Sequence, residues 1–320
     1  MKKNLILITG SAGFIGSNLS RYFINKNKIV LGIDNLKLGR IKNIQDIFKK
    51  KKFFFEKLDI SNLKKLDNCI KKFTKKFKID TIWHLAANSD IKDGFKDPDN
   101  DFKNTFLSTY NLIKISKKYK IKNFVFASSS AIYGNLKNKR LSESSGPLLP
   151  ISTYGAMKLA SEGIISAAKE SFLKKIYIFR FPNVVGSPST HGVIHDFIKR
   201  LKKKPKRLMV LGNGNQKKVY MHVQDLIISM DYIFNNSKDK VSLFNIGPRD
   251  DGVNVRFISK EVVKHFKKNK TIRYQKKNKG WVGDVPFFRY SIKKFRKFAP
   301  NIKTYSRNSV IQAINELITK

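Results

Sequence analysis

The chain is expected to fold as α/β, a Rossmann-like doubly wound parallel sheet joined to a smaller mixed α/β lobe. Three features carry that expectation. Short apolar runs of strand length alternate with amphipathic stretches of helix length. A glycine turn, Gly10-Ser11-Ala12-Gly13-Phe14-Ile15-Gly16, stands between the first run and the first helix. Asp34 closes the second run. Such alternation needs crossover connections, and these cover both faces of a parallel sheet.

Leu5 to Ile8 reads as a buried strand that stops at Gly10, and Phe14 to Asn25 as a helix. Lys28 to Ile33, ending at Asp34, is a second strand, and Phe53 to Leu58 a third. Ser61 to Phe77 is an amphipathic helix with Ser61 as its cap, since a serine hydroxyl can accept a first-turn N–H. Thr81 to Leu85 and Asn123 to Ala127 are the fourth and fifth strands, with a long helix over Asp101 to Lys118 between them. Thr153 to Ser171 is helical, and Ile176 to Phe179 is a strand. Beyond Arg180 the pattern is broken by Pro182, Pro188, Pro205 and Gly212-Asn213-Gly214. There Val193 to Leu201, Val223 to Phe234 and Arg256 to Phe266 read as helices, and Leu208 to Leu211 and Ser242 to Ile246 as strands. The expected division is a first domain over 1–180 and a smaller lobe over 181–320, with some segments returning to the first.

Among 320 residues, 66 are Lys or Arg and 23 Asp or Glu, a formal net charge of +43. A hydrophobic content of 41% excludes a disordered polyelectrolyte. The excess is mostly Lys and comes with many Ile, Phe and Asn residues, all of which have A/T-rich codons. Base composition alone can produce it. The lysines are also spread, as in Lys49 to Lys52, Lys71 to Lys76 and Lys202 to Lys204, rather than gathered in one tail. No specific nucleic-acid partner is therefore expected, although the field would attract an anionic small substrate. No run of about 18 uncharged apolar residues is present, which excludes a helical membrane span. The apolar start runs into a glycine turn without a small-x-small cleavage site, so it reads as a strand and not as a signal peptide. The single cysteine, Cys69, excludes a disulfide framework and a cysteine-based metal cluster. A cytoplasmic location and no metal are expected.

The glycine turn has the chemistry of a pyrophosphate site. Gly10 permits the tight turn, Gly13 lets backbone N–H groups approach, and Gly16 permits close helix–sheet packing. The helix N-terminus adds its positive dipole end. Asp34 can accept both ribose hydroxyls of an adenosine and would repel a 2′-phosphate, so NAD is favoured over NADP. The alternative for Asp34 is a turn-initiating aspartate. Asp59 has two readings: a partner for the adenine amino group, or the cap before Ser61.

Tyr154 and Lys158 form YxxxK on an expected helix, where a spacing of four puts both side chains on one face. An ammonium beside a phenol is expected to lower the phenol's pKa toward working pH. The Ser128-Ser129-Ser130 run follows the fifth strand and can place a hydroxyl on the same substrate oxygen. Ser128 and Ser130 have the alternative of bonding their own backbone.

Together these residues resemble the extended short-chain dehydrogenase/reductase superfamily, and within it the nucleotide-sugar epimerases and dehydratases. The resemblance spans nearly the whole chain. It rests on Gly10 to Gly16, Asp34, His84-Leu85-Ala86-Ala87, the run Ser128 to Gly134, Tyr154 with Lys158, Arg180 to Gly186, His222 to Leu226, and Gly283-Asp284-Val285-Pro286. It implies an NAD-binding domain over 1–180 and a substrate-binding lobe over 181–320. It implies Ser129, Tyr154 and Lys158 as the catalytic group. NAD would be held by Gly10, Gly13, Phe14, Ile15, Gly16, Asp34, Asn35, Asp59, Ile60, Leu85, Ala86, Ala87, Tyr154, Lys158 and Phe181. Substrate would meet Ser129, Ser130, Asn183 and Lys218. A homodimer is also implied.

Departures from the family narrow the activity. The dehydratases carry an Asp-Glu pair where Ser130-Ala131 stand here, and the decarboxylases a Glu at Ala131. The fucose-type enzymes need a Cys that has no match. Lys218 and Trp281 replace family arginines, and Thr105 a family asparagine. The remaining expectation is an NAD-dependent epimerase inverting C4 of a nucleoside-diphosphate sugar, a UDP-hexose, through a transient 4-keto sugar. The alternatives are a dehydratase, dehydrogenase or reductase of the same fold, or a nucleic-acid-binding or regulatory protein built on it.

Overall fold

The computed structural model describes residues 2–136, 140–203, 206–266, 270–276 and 289–319, the side chain of Lys92 excepted. Trp281 and Gly283-Asp284-Val285-Pro286 lie outside the described residues. The central sheet is built from β1 (Lys3–Thr9), β2 (Ile29–Asp34), β3 (Phe53–Lys57), β4 (Phe77–His84), β5 (Asn123–Ala127), β6 (Lys175–Arg180) and β7 (Val241–Asn245). Their order is β7-β6-β5-β4-β1-β2-β3. The pairs from β3 through β6 are all parallel. This is the doubly wound order, and it reverses between β1 and β4, where Thr9 lies in register with His84. Ligands of such sheets bind outside the carboxyl ends of the strands at that reversal.

The sheet is apolar on both faces because helices cover both. Leu5, Leu7, Leu31, Ile33, Ile82, Phe124, Phe126 and Ile176 share one core. Phe124 and Phe126 are fully buried, each worth about 2 kcal/mol by transfer. The helices that bear on the site are α1 (Phe14–Asn25), α2 (Leu63–Thr74), α3 (Ser108–Lys118) and α4 (Thr153–Ser171).

The chain forms two compact units, one of Met1–Gly134, Pro147–Arg180 and Ile233–Phe244, the other of Asn135–Gly146, Phe181–Tyr232 and Asn245–Lys320. The second unit has its own core. In it Ile194, Phe197, Ile198 and Leu201 of α5 (Val193–Lys203) meet Ile258 and Val262 of α6 (Val255–Lys264) and Val310 and Ile314 of α7 (Ser306–Ile318). Among the described residues no helix is long and apolar enough to cross a membrane.

Three local expectations are corrected. The cap of α2 is Asn62, whose Oδ1 accepts Lys65 N–H at 3.0 Å, and not Ser61. That helix stops at Thr74, so Phe77 opens β4. The long helix from Asp101 is interrupted: a short helix Pro98–Asp101 leads into a π-helical segment Phe102–Leu107 before α3. Ser108 Oγ donates to Asn104 O (2.9 Å) and Thr109 Oγ1 to Thr105 O (2.7 Å). Hydroxyls that back-bond in this way compete with the regular backbone ladder.

Candidate active site

The first part of the site is a cradle of backbone. Gly10 N–H donates to Ile33 O (2.8 Å), tying the turn to β2, and Gly13 N–H donates to Gly10 O (3.1 Å). A Cβ on Gly16 would stand 1.9 Å from Gly10 O, so only glycine lets α1 start this close to the turn. Gly13 is the N-cap of α1, and no side chain caps it. The first-turn N–H groups of Phe14 and Ile15, both partly exposed, therefore remain donors for a ligand anion. Beside them Leu85 N–H donates to Thr9 O (3.3 Å) and Ala86 N–H to Thr9 Oγ1 (3.4 Å). Leu85, Ala86 and Ala87 are all partly exposed there.

Asp34 sits deeper than a free ribose acceptor. Ala12 N–H donates to Oδ2 (2.9 Å) and Leu36 N–H to Oδ1 (2.8 Å). Burial raises its carboxyl against the opposing N–H groups of Leu36, Ala12 and Gly13. Each oxygen keeps a second lone pair for a ribose hydroxyl. Asn35, Lys37, Lys57, Leu58 and Asp59 line an adjoining recess of about 340 Å³ at the ends of β2 and β3. Asp59 Oδ1 accepts Ser61 N–H (2.9 Å), so it serves the local turn whichever of its two readings holds. The Ile60 side chain belongs to the core, which leaves only its backbone for a ligand. An uncapped helix start, a turn that excludes side chains, and a recess at the β2 end together fit a dinucleotide.

The second part is built from side chains. Ser152 Oγ caps α4 by accepting Gly155 N–H (3.1 Å), which puts Tyr154 in the first turn. A Cβ on Gly155 would stand 2.6 Å from Ala131 O. That close approach brings α4 against the one-turn helix Ser130–Tyr133, which Ser129 caps by accepting Ala131 N–H (3.1 Å). Ser129 and Tyr154 thereby come near each other, close enough for the serine hydroxyl to act on the phenol. Lys158 is buried; its Nζ donates to Ala127 O (2.6 Å) and lies 4.6 Å from the Phe126 ring centre and 5.8 Å from that of Tyr154.

The electrostatics differ from the sequence expectation. Burial pushes the Tyr154 phenol up to about 12, with the nearby Ser129 hydroxyl opposing and the Asp101 charge adding. Burial also pulls the Lys158 ammonium down to about 7, against the charge of Glu162. The phenol is thus raised rather than lowered, because desolvation dominates its environment.

Several polar residues of the site had no role assigned from the sequence, and Glu162 was not named at all. Ser128 Oγ donates to Glu162 Oε1 (2.5 Å) rather than to its own backbone, and Glu162 pairs with Arg180 (2.6 Å). His84 is buried between Thr9 Oγ1 (2.7 Å) and Thr109 Oγ1 (2.9 Å), and burial and the Lys158 charge hold it well below its usual range. Asp101 is buried with Oδ1 accepting from Asn88 Nδ2 (2.8 Å), and its Oδ2 has no hydrogen-bond partner among the described residues. Helical spacing offered one signal: Glu162 lies four residues after Lys158.

Of the other expected residues, Ser130 opens the one-turn helix. Phe181, Asn183 and Lys218 belong to the second unit. Phe181 is buried there. Asn183 Nδ2 donates to Val219 O (3.3 Å), so the structure brings Asn183 beside the strand that follows Lys218.

Comparison with known proteins agrees with this geometry. The chain is 31% identical over 268 residues to a putative UDP-glucose 4-epimerase of Methanocaldococcus jannaschii, covering 82% of each. It is 30% identical over 256 residues to a dTDP-D-glucose 4,6-dehydratase of Dictyostelium discoideum, covering 76% of this chain and 58% of that one. The structure superposes with a TM-score of 0.84 and 25% identity on UDP-glucuronic acid 4-epimerase from Bacillus cereus, solved with UDP-glucuronic acid and NAD, over 98% of this chain and 99% of that one. The model of the NAD dependent epimerase/dehydratase family matches residues 6–247. The chain belongs to the NAD dependent epimerase/dehydratase family.

Proposed function

We propose that the chain is an NAD-dependent epimerase that inverts C4 of a UDP-hexose. The observation that carries this reading is the buried Lys158 ammonium 5.8 Å from the Tyr154 ring centre, with Ser129 close enough to act on the phenol. Gly10–Gly16, Asp34 and Leu85–Ala87 would hold NAD, which when bound would supply a hydride acceptor and a positive ring favouring the Tyr154 phenolate. Tyr154 takes the proton from O4 as C4 is oxidised and returns it when the 4-keto sugar is reduced on its other face. Ser129 donates to the same oxygen and stabilises the charge that develops there. Lys158 holds the positive charge near the phenol and positions it through Ala127 O.

Asn183 and Lys218 are assigned to the sugar diphosphate, Ser130 to the hexose, and Phe181 to the nicotinamide. The first unit is assigned to the dinucleotide and the second to the substrate nucleotide. A second copy is proposed to cover the stripe Phe102, Phe106 and Tyr110, spaced one helical turn apart, where Phe102 is 46% and Tyr110 40% exposed. The single cysteine supports a cytoplasmic location. The dehydratase relative favours 4,6-elimination as a second reading; Ser130 and Ala131 offer it no acid–base pair after Ser129.

NMR of a UDP-sugar panel incubated with purified protein and no added cofactor tests the proposal. Interconversion of one C4 pair is expected. Loss of water to a 4-keto-6-deoxy sugar would replace it with the second reading.

A further inference from the structure

A buried ionic network lies under the proton-transfer group and takes no part in the steps above. Glu162 Oε2 pairs with Arg180 Nη2 at 2.6 Å and Glu162 Oε1 accepts Arg180 Nε at 3.0 Å, with side-chain exposures of 8% and 5% for Glu162 and Arg180. Ser128 Oγ donates to the same Oε1. Arg180 Nη1 donates to Tyr133 Oη (3.0 Å), the last residue of the one-turn helix that Ser129 caps. Burial works against the Arg180 charge, but the bonds and charge of Glu162 outweigh it and hold the guanidinium above its usual value. Stability alone does not call for such a pair, since apolar replacement of buried ion pairs is often neutral or stabilising.

The placement gives the network a use. Ser128 precedes Ser129 at the end of β5, and Glu162 follows Lys158 by one helical turn on α4. We propose that Glu162 is a positioning residue for the Ser129–Tyr154–Lys158 group: clamped by Arg180, it anchors the strand end that presents Ser129 and sets a negative charge beside the Lys158 ammonium. This rests on the reading of those three residues as the proton-transfer group. The groups that face Lys158 are Tyr154 and Glu162 from α4, the Ala127 carbonyl and Phe126 ring from β5, and His84 from β4. Glu162 is the anion among them. Without it Lys158 gives up its proton at lower pH, and the alkaline limb of turnover moves down.

The test uses Glu162→Gln, the double variant Glu162→Gln/Arg180→Met, and Ser128→Ala, each in the full chain. Melting temperature, kcat and KM against pH, and the Lys158 titration are measured. The titration is read by NMR of lysine labelled at Cε, assigned with Lys158→Met. In both Glu162 variants kcat is expected to fall about ten-fold with KM little changed. The alkaline limb and the Lys158 midpoint are expected to move down by about one pH unit. Ser128→Ala lowers kcat without moving the limb. If Glu162→Gln alone does not fold, the double variant, which also removes the Arg180 charge, decides. A double variant with wild-type kcat and an unmoved Lys158 midpoint overturns the proposal and leaves Glu162 structural. The midpoint needs no substrate: a downward shift supports the inference even if the wild type converts no UDP-sugar, a result that would refute the function alone.

Discussion

The cradle at Gly10–Gly16 and the proton-transfer group proposed at Ser129, Tyr154 and Lys158 both lie in the first unit, yet they are made of different material. The cradle is backbone: an uncapped helix start, N–H donors and a turn closed to side chains. Its chemistry is fixed by local geometry and varies little with pH. The proposed proton-transfer group is made of side chains, a buried lysine pulled to about 7 and a half-buried tyrosine pushed to about 12 by desolvation. Its chemistry depends on residues far away in sequence. A backbone site is therefore specified by a short motif, and a side-chain site by the packing around it.

Substitutions can separate the two. The largest expected effect is Tyr154→Phe, which removes the oxygen proposed to transfer the proton and leaves the cradle intact. Turnover falls by about a thousand-fold while NAD remains bound, as read from the cofactor released on denaturation. Residual turnover near wild type would remove Tyr154 from its role. Gly16→Val does the reverse. Its Cβ meets Gly10 O, so the variant loses NAD and about 2 kcal/mol of stability; a melting curve and cofactor content like the wild type's would break the cradle account. Gly155→Val presses α4 away from Ala131 O and parts Tyr154 from Ser129. A drop in kcat of about ten-fold with NAD retained is expected, checked by steady-state kinetics beside cofactor content.

A fourth effect, read without turnover, is on stability against pH. The folded pKa of Lys158 lies below its unfolded value of 10.5, near 7. Between these values the unfolded chain binds the extra proton, so this group makes the protein more stable as pH rises through that window. The melting temperature of the wild type, minus that of Lys158→Met, should therefore climb from pH 7 toward pH 10. A flat difference would mean that Lys158 is not strained by burial.

The same contrast explains what could be read before the structure. The order of strands and helices, the turn at Gly10–Gly16 and the position of Asp34 were legible because each depends on neighbours in sequence. Ser61 and Asn62 are both competent caps, and only the chain's path selects Asn62. The break at Phe102–Leu107 depends on hydroxyls of Ser108 and Thr109 turning back to carbonyls, which periodicity does not register. Of the proton-transfer group, the Tyr154–Lys158 spacing was visible but the direction of the phenol's shift was not. Spacing reveals a nearby charge and conceals how much water the fold removes. Glu162 and Arg180 lie 18 residues apart on different elements, so no local pattern links them.

The central claim is that one carbon gives up a hydride and takes it back while Tyr154 handles the proton of its oxygen. It is tested most directly with a UDP-hexose deuterated at C4, incubated in ordinary water with the wild type and with Tyr154→Phe. The account predicts that the wild type yields the C4 epimer with deuterium still at C4 and that the variant yields almost none. Deuterium lost to solvent in the wild-type product, or equal conversion by the variant, would contradict it.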